Sequence, residues 1–344
     1  MSDNVIETDA LIVGAGPCGL FQIFELGLLG VEAHIIDTMR VVGGQCAELY
    51  PDKPIYDIPG IPVCSGQELI DNLMVQIEPF EPTFHLGEEV AEVSAIDDDW
   101  FRVATDSGKQ FRTRTVFIAG GVGSFQPRRL RFEGIDDHEE RNLFYRVRDP
   151  EKFADKRVVI LGGGDSALDW TLALAPKANS LTLIHRREEY RGAPATVASM
   201  QKLAAAGQVD PIIGKVSAYK SDDSGLTSVT VDASDGERDV PCDAVLVFFG
   251  LAPKLGPIAE WGLNINRKTI NVDTEKFETS TPGIYAIGDI NFYPGKKKLI
   301  LSGFHEAALA AFAAKERLEP DKKVRLQYTT TSPLMHERLG IKDD

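Results

Sequence analysis

The chain carries one plan twice: an apolar strand, a glycine-rich turn, a helix and a second apolar strand. In the first copy ALIV runs into GAGPCG, where Gly14, Gly16 and Gly19 form G-x-G-x-x-G, and the strand EAHIID ends on Asp37. In the second, RVVIL runs into GGGDSA, where Gly162, Gly164 and Ala167 form G-x-G-x-x-A. Such a turn lets the backbone approach a pyrophosphate at a helix N-terminus. The copies differ after their second strand: Asp37 stands in one, and Arg186 and Arg187 in the other, with Arg191 a helical turn beyond. An acid there suits a ribose hydroxyl, whereas guanidinium forks suit a ribose 2′-phosphate. Two different dinucleotides are therefore expected, the second being NADP.

The rest of the pattern extends the duplication. Residues 39–60 are dense in Gly, Pro and Tyr, a loop composition suited to ligand contact. A helix is predicted over 66–80 with Ser65 as its N-cap, then strands over 88–96 and 100–104 and a closing strand TRTVFIAGG. The second copy repeats this with a helix over 195–206, strands over 212–219 and 226–233, and the closing strand CDAVLVFFG. No third copy begins after Gly250; a strand enters a turn at Gly288-Asp289, a helix follows over 303–317, and the tail is polar. The expected class is α/β, with two duplicated three-layer dinucleotide-binding (Rossmann-like) domains.

Composition narrows the partners. At 344 residues there is room for two domains, and a formal net charge of −15 argues against nucleic acid. No apolar run approaches the roughly 18 residues of a membrane span. The acidic start MSDNVIETD leads straight into a strand, so a cytoplasmic protein without a signal peptide is expected. Cys18, Cys46, Cys64 and Cys242 form no CxxC, and neither they nor the histidines show metal-ligand spacing, so no metal site is expected.

Taken together, GAGPCG with Asp37, GGQCAELYP, GGGDSA with HRREEYR, YAIGD and the C-terminal YTTTS resemble the two-dinucleotide flavoproteins that include thioredoxin reductase. The chain most closely resembles the thioredoxin-reductase-like ferredoxin/flavodoxin–NADP reductases. This resemblance implies an FAD-binding domain over 1–121 and 253–344 and an NADP-binding domain over 122–252. It places Gly14, Gly16, Pro17, Cys18 and Gly19 at the FAD pyrophosphate and Asp37 on the adenosine ribose. Val90 would meet the adenine through its backbone, although the position equally fits a plain strand residue. Gln45 and Tyr50 would approach the flavin, Tyr50 as a stacked ring, with Phe125 nearby and Asp289 on the ribityl chain. Tyr328 would cover the other flavin face, and Thr329 and Thr330 would offer hydroxyls near the ring. On the NADP side the resemblance adds Asp165 and Ser166 to Gly162, Gly164, Ala167 and the arginines. Relatives are homodimers in which such a tail often covers the neighbour's flavin.

The resemblance also shows what is missing. Thioredoxin reductases carry a CxxC shortly before the second glycine-rich turn, where NLFYRVRDPEKFADKR has no cysteine. Glutathione-reductase-like relatives use CxxxxC, but here Cys46 is followed five positions later by Pro51. A lone thiol does not cycle as an intramolecular disulfide. The expected reaction is therefore hydride transfer between NADPH and flavin N5, then one-electron steps to ferredoxin or flavodoxin, with no acid, base or nucleophile. The alternatives are an NADPH oxidase or diaphorase-type quinone reductase, a thioredoxin reductase with displaced cysteines, and a non-turnover flavin redox sensor. Because such carriers are acidic, Arg128, Arg129 and Arg131, or Lys296 to Lys298, are candidate docking groups, although either run equally fits a solvated loop.

Overall fold

A computed structural model describes residues 5–147, 149–223 and 225–341; the side chains of 124–126 and 251–253 fall outside the description. The chain divides into two compact units, Met1–Ser124 with Pro253–Asp344, and Phe125–Ala252.

The first unit opens with strand β1 (Ile6–Val13), helix α1 (Pro17–Leu28) and strand β2 (Ala33–Asp37). The segment expected as a loop then forms a short helix, α2 (Gly44–Leu49), entered through Gly43 and Gly44 at φ of 113° and 55°. Those left-handed angles suit glycine and bend the chain too sharply for a sequence pattern to register a helix. Helix α3 (Gly66–Ile77) begins on Ser65, whose Oγ accepts from the Glu68 N–H at 3.1 Å while Glu68 accepts from the Ser65 N–H at 2.6 Å. This reciprocal cap fixes the start, and Pro79 turns the end into a single 3-10 turn over Glu78–Phe80. Strands β3 (Thr83–Leu86), β4 (Val90–Ala95), β5 (Phe101–Thr105) and β6 (Gln110–Ile118) follow.

The second unit comprises β7 (Leu143–Phe144), β8 (Arg157–Leu161), α4 (Asp165–Leu174), β9 (Ser180–His185) and α5 (Pro194–Ala205). Strands β10 (Asp210–Asp222), β11 (Gly225–Ala233), β12 (Gly236–Pro241) and β13 (Ala244–Val247) complete it. The chain then returns to the first unit with β14 (Ile284–Ala286), the long helix α6 (Ile300–Leu318) and α7 (Pro333–Arg338).

The parallel strands follow the same order in both units: β3-β2-β1-β6-β14 in one and β10-β9-β8-β13-β7 in the other. Both sheets continue into antiparallel strands, β5 and β4 beside β6, and β11 and β12 beside β10. The central strands are buried on both faces, which is why they read as unbroken apolar runs. In the first unit one face packs on α1, α3 and α6 through Leu20, Leu69 and Ala310. On the other face Leu11, Ile36 and Val116 share a core with Val93, Val103 and Trp261. The second unit has the same two cores, one with Leu168 and Met200, the other with Val216 and Val229. Each unit is thus three layers deep, and each glycine-rich turn leaves the C-terminal end of the strand at which the order reverses.

The tail departs from the expected polar segment. Helix α7 buries Met335 and sends Arg338 to donate to the Leu28 carbonyl, which satisfies an acceptor at the C-terminal end of α1. With six residues and one buried apolar side chain, α7 is too short to show helical periodicity.

Candidate dinucleotide sites

The glycines of the first turn take three distinct roles. Gly14 has φ of 114°, and a β-carbon there would stand 2.5 Å from the Ala119 carbonyl oxygen. At Gly19 a β-carbon would collide with the Gly14 carbonyl, so this residue lets α1 start tight against β1. Gly16 faces open space, with nothing closer than Gly44 Cα at 4.0 Å. The turn is therefore closed on its own fold and bare on the side from which a pyrophosphate would approach.

Asp37 braces that turn. Its Oδ2 accepts from the Ala15 N–H at 2.6 Å and its Oδ1 from the Met39 N–H at 2.7 Å. Burial nevertheless raises its pKa above the ordinary carboxylate value, outweighing the two backbone donors. A carboxylate has lone pairs beyond those two, so acceptor capacity remains for ribose hydroxyls.

The Gly288-Asp289 turn and the start of α6 close on the same place. The Cys18 thiol fills the space above Gly288 and Gly303, where any β-carbon on Gly303 would strike it. Burial pushes this thiol up to about 12, with Asp289 and Glu306 adding to the effect, so Cys18 is packing rather than a nucleophile. Asp289 is half-buried, and its carboxylate makes no hydrogen bond among the described residues. Beneath it lies a group the sequence reading missed. Glu306 Oε2 accepts from the Gly288 N–H at 2.7 Å and from Asn291 Nδ2 at 2.8 Å, while its Oε1 accepts from the Tyr293 hydroxyl at 2.8 Å and from Lys296. The one available signal was an acid on the small-residue face of α6, shared with Gly303, Ala307, Ala310 and Ala314.

The other flavin-side candidates are distributed unevenly. Gln45 lies against Gly121, and Tyr50 is half-buried with its hydroxyl 3.5 Å from Cys46 Sγ. Burial and the neighbouring thiol raise the Tyr50 pKa. Pro17 forms the first turn of α1. Val90 turns its side chain into the core beside a register shift in the β4–β5 ladder, which leaves only its backbone for a ligand. Phe125 falls in a strand over Ser124–Pro127, and its side chain lies outside the described residues. Tyr328 is not packed against its own chain: the ring is 67% exposed. Its carbonyl accepts from Ser332 at 3.0 Å and the Thr329 carbonyl bonds His336 at 2.7 Å, tying both residues to α7. That helix anchors at the end of α1 opposite the glycine-rich turn, roughly 18 Å along the helix axis.

In the second unit the division of labour repeats. Gly162 has φ of 146° and a β-carbon there would stand 2.5 Å from the Phe248 carbonyl oxygen and 3.0 Å from Ala167 Cβ, while Gly164 has nothing within 4 Å. Arg186, Arg187 and Arg191 are exposed and make no ion pair among the described residues. Ser166 is exposed on the first turn of α4. Asp165 is exposed, and its Oδ1 accepts from the Ala193 N–H at 2.9 Å, so that oxygen faces the arginine segment.

The two basic runs need correction as docking groups. Lys296 is buried on Glu306, leaving Lys297 and Lys298 exposed. Arg129 is consumed by Glu139 at 2.6 and 3.0 Å and Asp136 at 3.2 Å, with its guanidinium 5.1 Å from the Tyr145 ring centre.

The pattern of the family described as pyridine nucleotide-disulphide oxidoreductase matches residues 8–313. A ferredoxin–NADP reductase 2 of Cupriavidus metallidurans is 62% identical over 338 residues, covering 98% of this chain and 92% of that one. The chain belongs to this family, in the group of the ferredoxin–NADP reductases. A ferredoxin–NADP reductase of Methylibium petroleiphilum is 61% identical, covering 99% of this chain and 94% of its own. Among solved structures, thioredoxin reductase of Lactococcus lactis matches with a TM-score of 0.75 at 22% identity, over 91% of this chain and 99% of that one, which shows the fold. Although the family is described by disulphide chemistry, Cys18, Cys46, Cys64 and Cys242 are all free here. Burial raises all four thiols, Cys242 to about 12, so none is poised as a thiolate at neutral pH.

Proposed function

We propose that the chain is an FAD-dependent oxidoreductase that passes electrons between NADPH and ferredoxin or flavodoxin. The observation that carries this reading is the presence of two formed glycine cradles, one braced by Asp37 and one beside three arginines with no ion pair among the described residues, in a chain whose four thiols are all raised by burial. Relatives named ferredoxin–NADP reductase at 62% identity over 98% of the chain support the choice of carrier.

FAD binds the first unit and NADP the second. When bound, FAD supplies the hydride acceptor and the one-electron outlet that the reaction needs. The chain's own residues bind and orient. The N–H groups of Gly16, Cys18 and Gly19, which open α1 around Pro17, meet the FAD pyrophosphate, and Asp37 accepts from the ribose while fixed by Ala15 and Met39. Asp289, beside the Gly288 N–H that Glu306 accepts, would take a hydrogen bond from the ribityl chain, and Gln45 and Tyr50 lie towards the flavin. Val90 meets the adenine through its backbone. The first turn of α4, with Gly162, Gly164, Ser166 and Ala167, takes the NADP pyrophosphate, and Arg186, Arg187 and Arg191 take the 2′-phosphate. No side chain acts as acid, base or nucleophile.

The protein acts as a homodimer in the cytoplasm, without nucleic acid or membrane partners. The exposed Tyr328, anchored at the far end of α1, supports a tail that covers the flavin of a second copy, with Thr329 and Thr330 beside the ring. The charge of −15 opposes binding to nucleic acid. Among the described residues no helix is long and apolar enough to cross a membrane.

The test is NADPH-driven reduction of cytochrome c with and without added ferredoxin. A rate that saturates with ferredoxin is expected. A rate indifferent to ferredoxin, with quinone or oxygen serving equally, overturns this function in favour of a diaphorase.

A further inference from the structure

Three arginines on one surface segment select a 2′-phosphate only if the segment is held where the phosphate arrives. The segment between His185 and Pro194 carries no regular structure, yet it is tied to the glycine-rich turn at several points. The Arg191 N–H donates to the Gly163 carbonyl at 2.7 Å. The His185 imidazole bonds the Glu189 carbonyl through Nε2 at 3.1 Å, and its ring stacks on Tyr190 at 5.4 Å between centres. The same ring occupies the space where Gly163 would carry a β-carbon. Gly192 lies so close over Leu168 that a β-carbon has no room there. From the first turn of α4 the Asp165 side chain also reaches the segment, its Oδ1 accepting from the Ala193 N–H at 2.9 Å.

An acid at this position needs a reason. In the first turn of a helix a carboxylate is favoured by the helix dipole, but here the same turn faces an incoming pyrophosphate, which a carboxylate repels. Asp165 is turned aside and engaged by the arginine segment. We infer that Asp165 is a positioning residue that gives the protein its preference for 2′-phosphorylated nucleotides by pinning the arginine segment to the first turn of α4. The inference rests on the reading of Arg186, Arg187 and Arg191 as the 2′-phosphate site. Pre-organisation of this kind raises affinity by removing the ordering that binding otherwise requires.

The test compares Asp165→Ala with Asp165→Asn in the holoenzyme. Asparagine keeps an oxygen that accepts from Ala193; alanine does not. Affinities for NADP+ and NAD+ are measured by calorimetry, and KM for NADPH and NADH alongside. Asp165→Ala is expected to weaken NADP+ by about tenfold, the scale of one hydrogen bond to a charged group, while NAD+ stays within about twofold. Asp165→Asn is expected to keep the wild-type discrimination. Gly192→Val sets a β-carbon into Leu168 Cδ1 and 3.4 Å from Asp165 Oδ1, so it displaces the segment while keeping the carboxylate and should reproduce the alanine pattern, which preserves the test should Asp165→Ala fail to fold. Equal weakening of both nucleotides assigns Asp165 to the pyrophosphate turn and overturns the inference. Unchanged or tighter NADP+ binding in Asp165→Ala overturns it as well. A wild type that binds NAD+ as well as NADP+ sinks the arginine reading itself, and the inference with it.

Discussion

Lys296 donates to Glu306 inside the first unit, the lysine side chain 4% exposed and the glutamate 0%. Breaking a buried pair by removing one partner typically costs about 3–5 kcal/mol, because a charge is left uncompensated. Glu306→Gln should therefore lower the unfolding midpoint sharply and, because an NH2 replaces one of the two oxygens that Gly288, Asn291, Tyr293 and Lys296 share, reduce the FAD retained through gel filtration. The double variant Glu306→Gln/Lys296→Met leaves no stranded charge and should regain much of the stability. Full flavin content and an unchanged midpoint in Glu306→Gln would show that the pair is incidental.

Tyr328 presents the opposite case, since a ring two-thirds in water contributes little to its own chain. Tyr328→Ala should leave the urea midpoint within about 0.5 kcal/mol of wild type. If the ring covers a neighbour's cofactor, as proposed, the variant should nevertheless change the rate at which NADPH bleaches the flavin in stopped-flow by several-fold. Identical traces would remove Tyr328 from the site.

Gly14, Gly16 and Gly19 disclosed their roles in the sequence because a left-handed φ, an open approach and a tight helix–strand contact are requirements within one turn of chain. Asp37 and Arg186 were readable as strand-end residues for the same reason: each lies where the strand after a glycine-rich turn ends. Glu306 was not, because its partners Gly288, Asn291, Tyr293 and Lys296 reach it only when the chain after β14 folds back on α6. Lys296 read as one of three equivalent lysines, and only that fold separates it from Lys297 and Lys298. The tie from Asp165 to Ala193 was not legible, because the two lie 28 positions apart across a strand. Helix α7 left no periodic trace, being held by Met335 and by an arginine that completes another helix.

Arg186 and Arg187 lie exposed at the end of β9 with no carboxylate partner among the described residues, so replacing them removes affinity without stranding a buried charge. The double variant Arg186→Ala/Arg187→Ala should raise KM for NADPH by at least about tenfold at low salt, the loss of charge-assisted bonds to a phosphate. KM for NADH should hardly move, and the wild-type advantage should shrink as salt screens the exposed charges. Parallel increases for both nucleotides would place the arginines at the shared pyrophosphate instead.

Glu25 on α1 offers a pH test with a definite sign. Burial alone pushes its carboxyl up from 4.5 to about 7. In the unfolded chain it ionises near the ordinary value, so between those limits the folded state binds more protons than the unfolded state, and stability falls as pH rises. The favourable contribution is complete below pH 4.5 and is lost as pH rises through about 7. Glu25→Gln removes the ionisation and keeps the shape, so the variant should be more stable than wild type at pH 8 and indistinguishable from it near the lower limit. Urea midpoints at the two pH values measure the difference directly. An equal increment at both would mean that the glutamine packs better for reasons unconnected with charge, and that the carboxylate is solvated in the folded protein at pH 8.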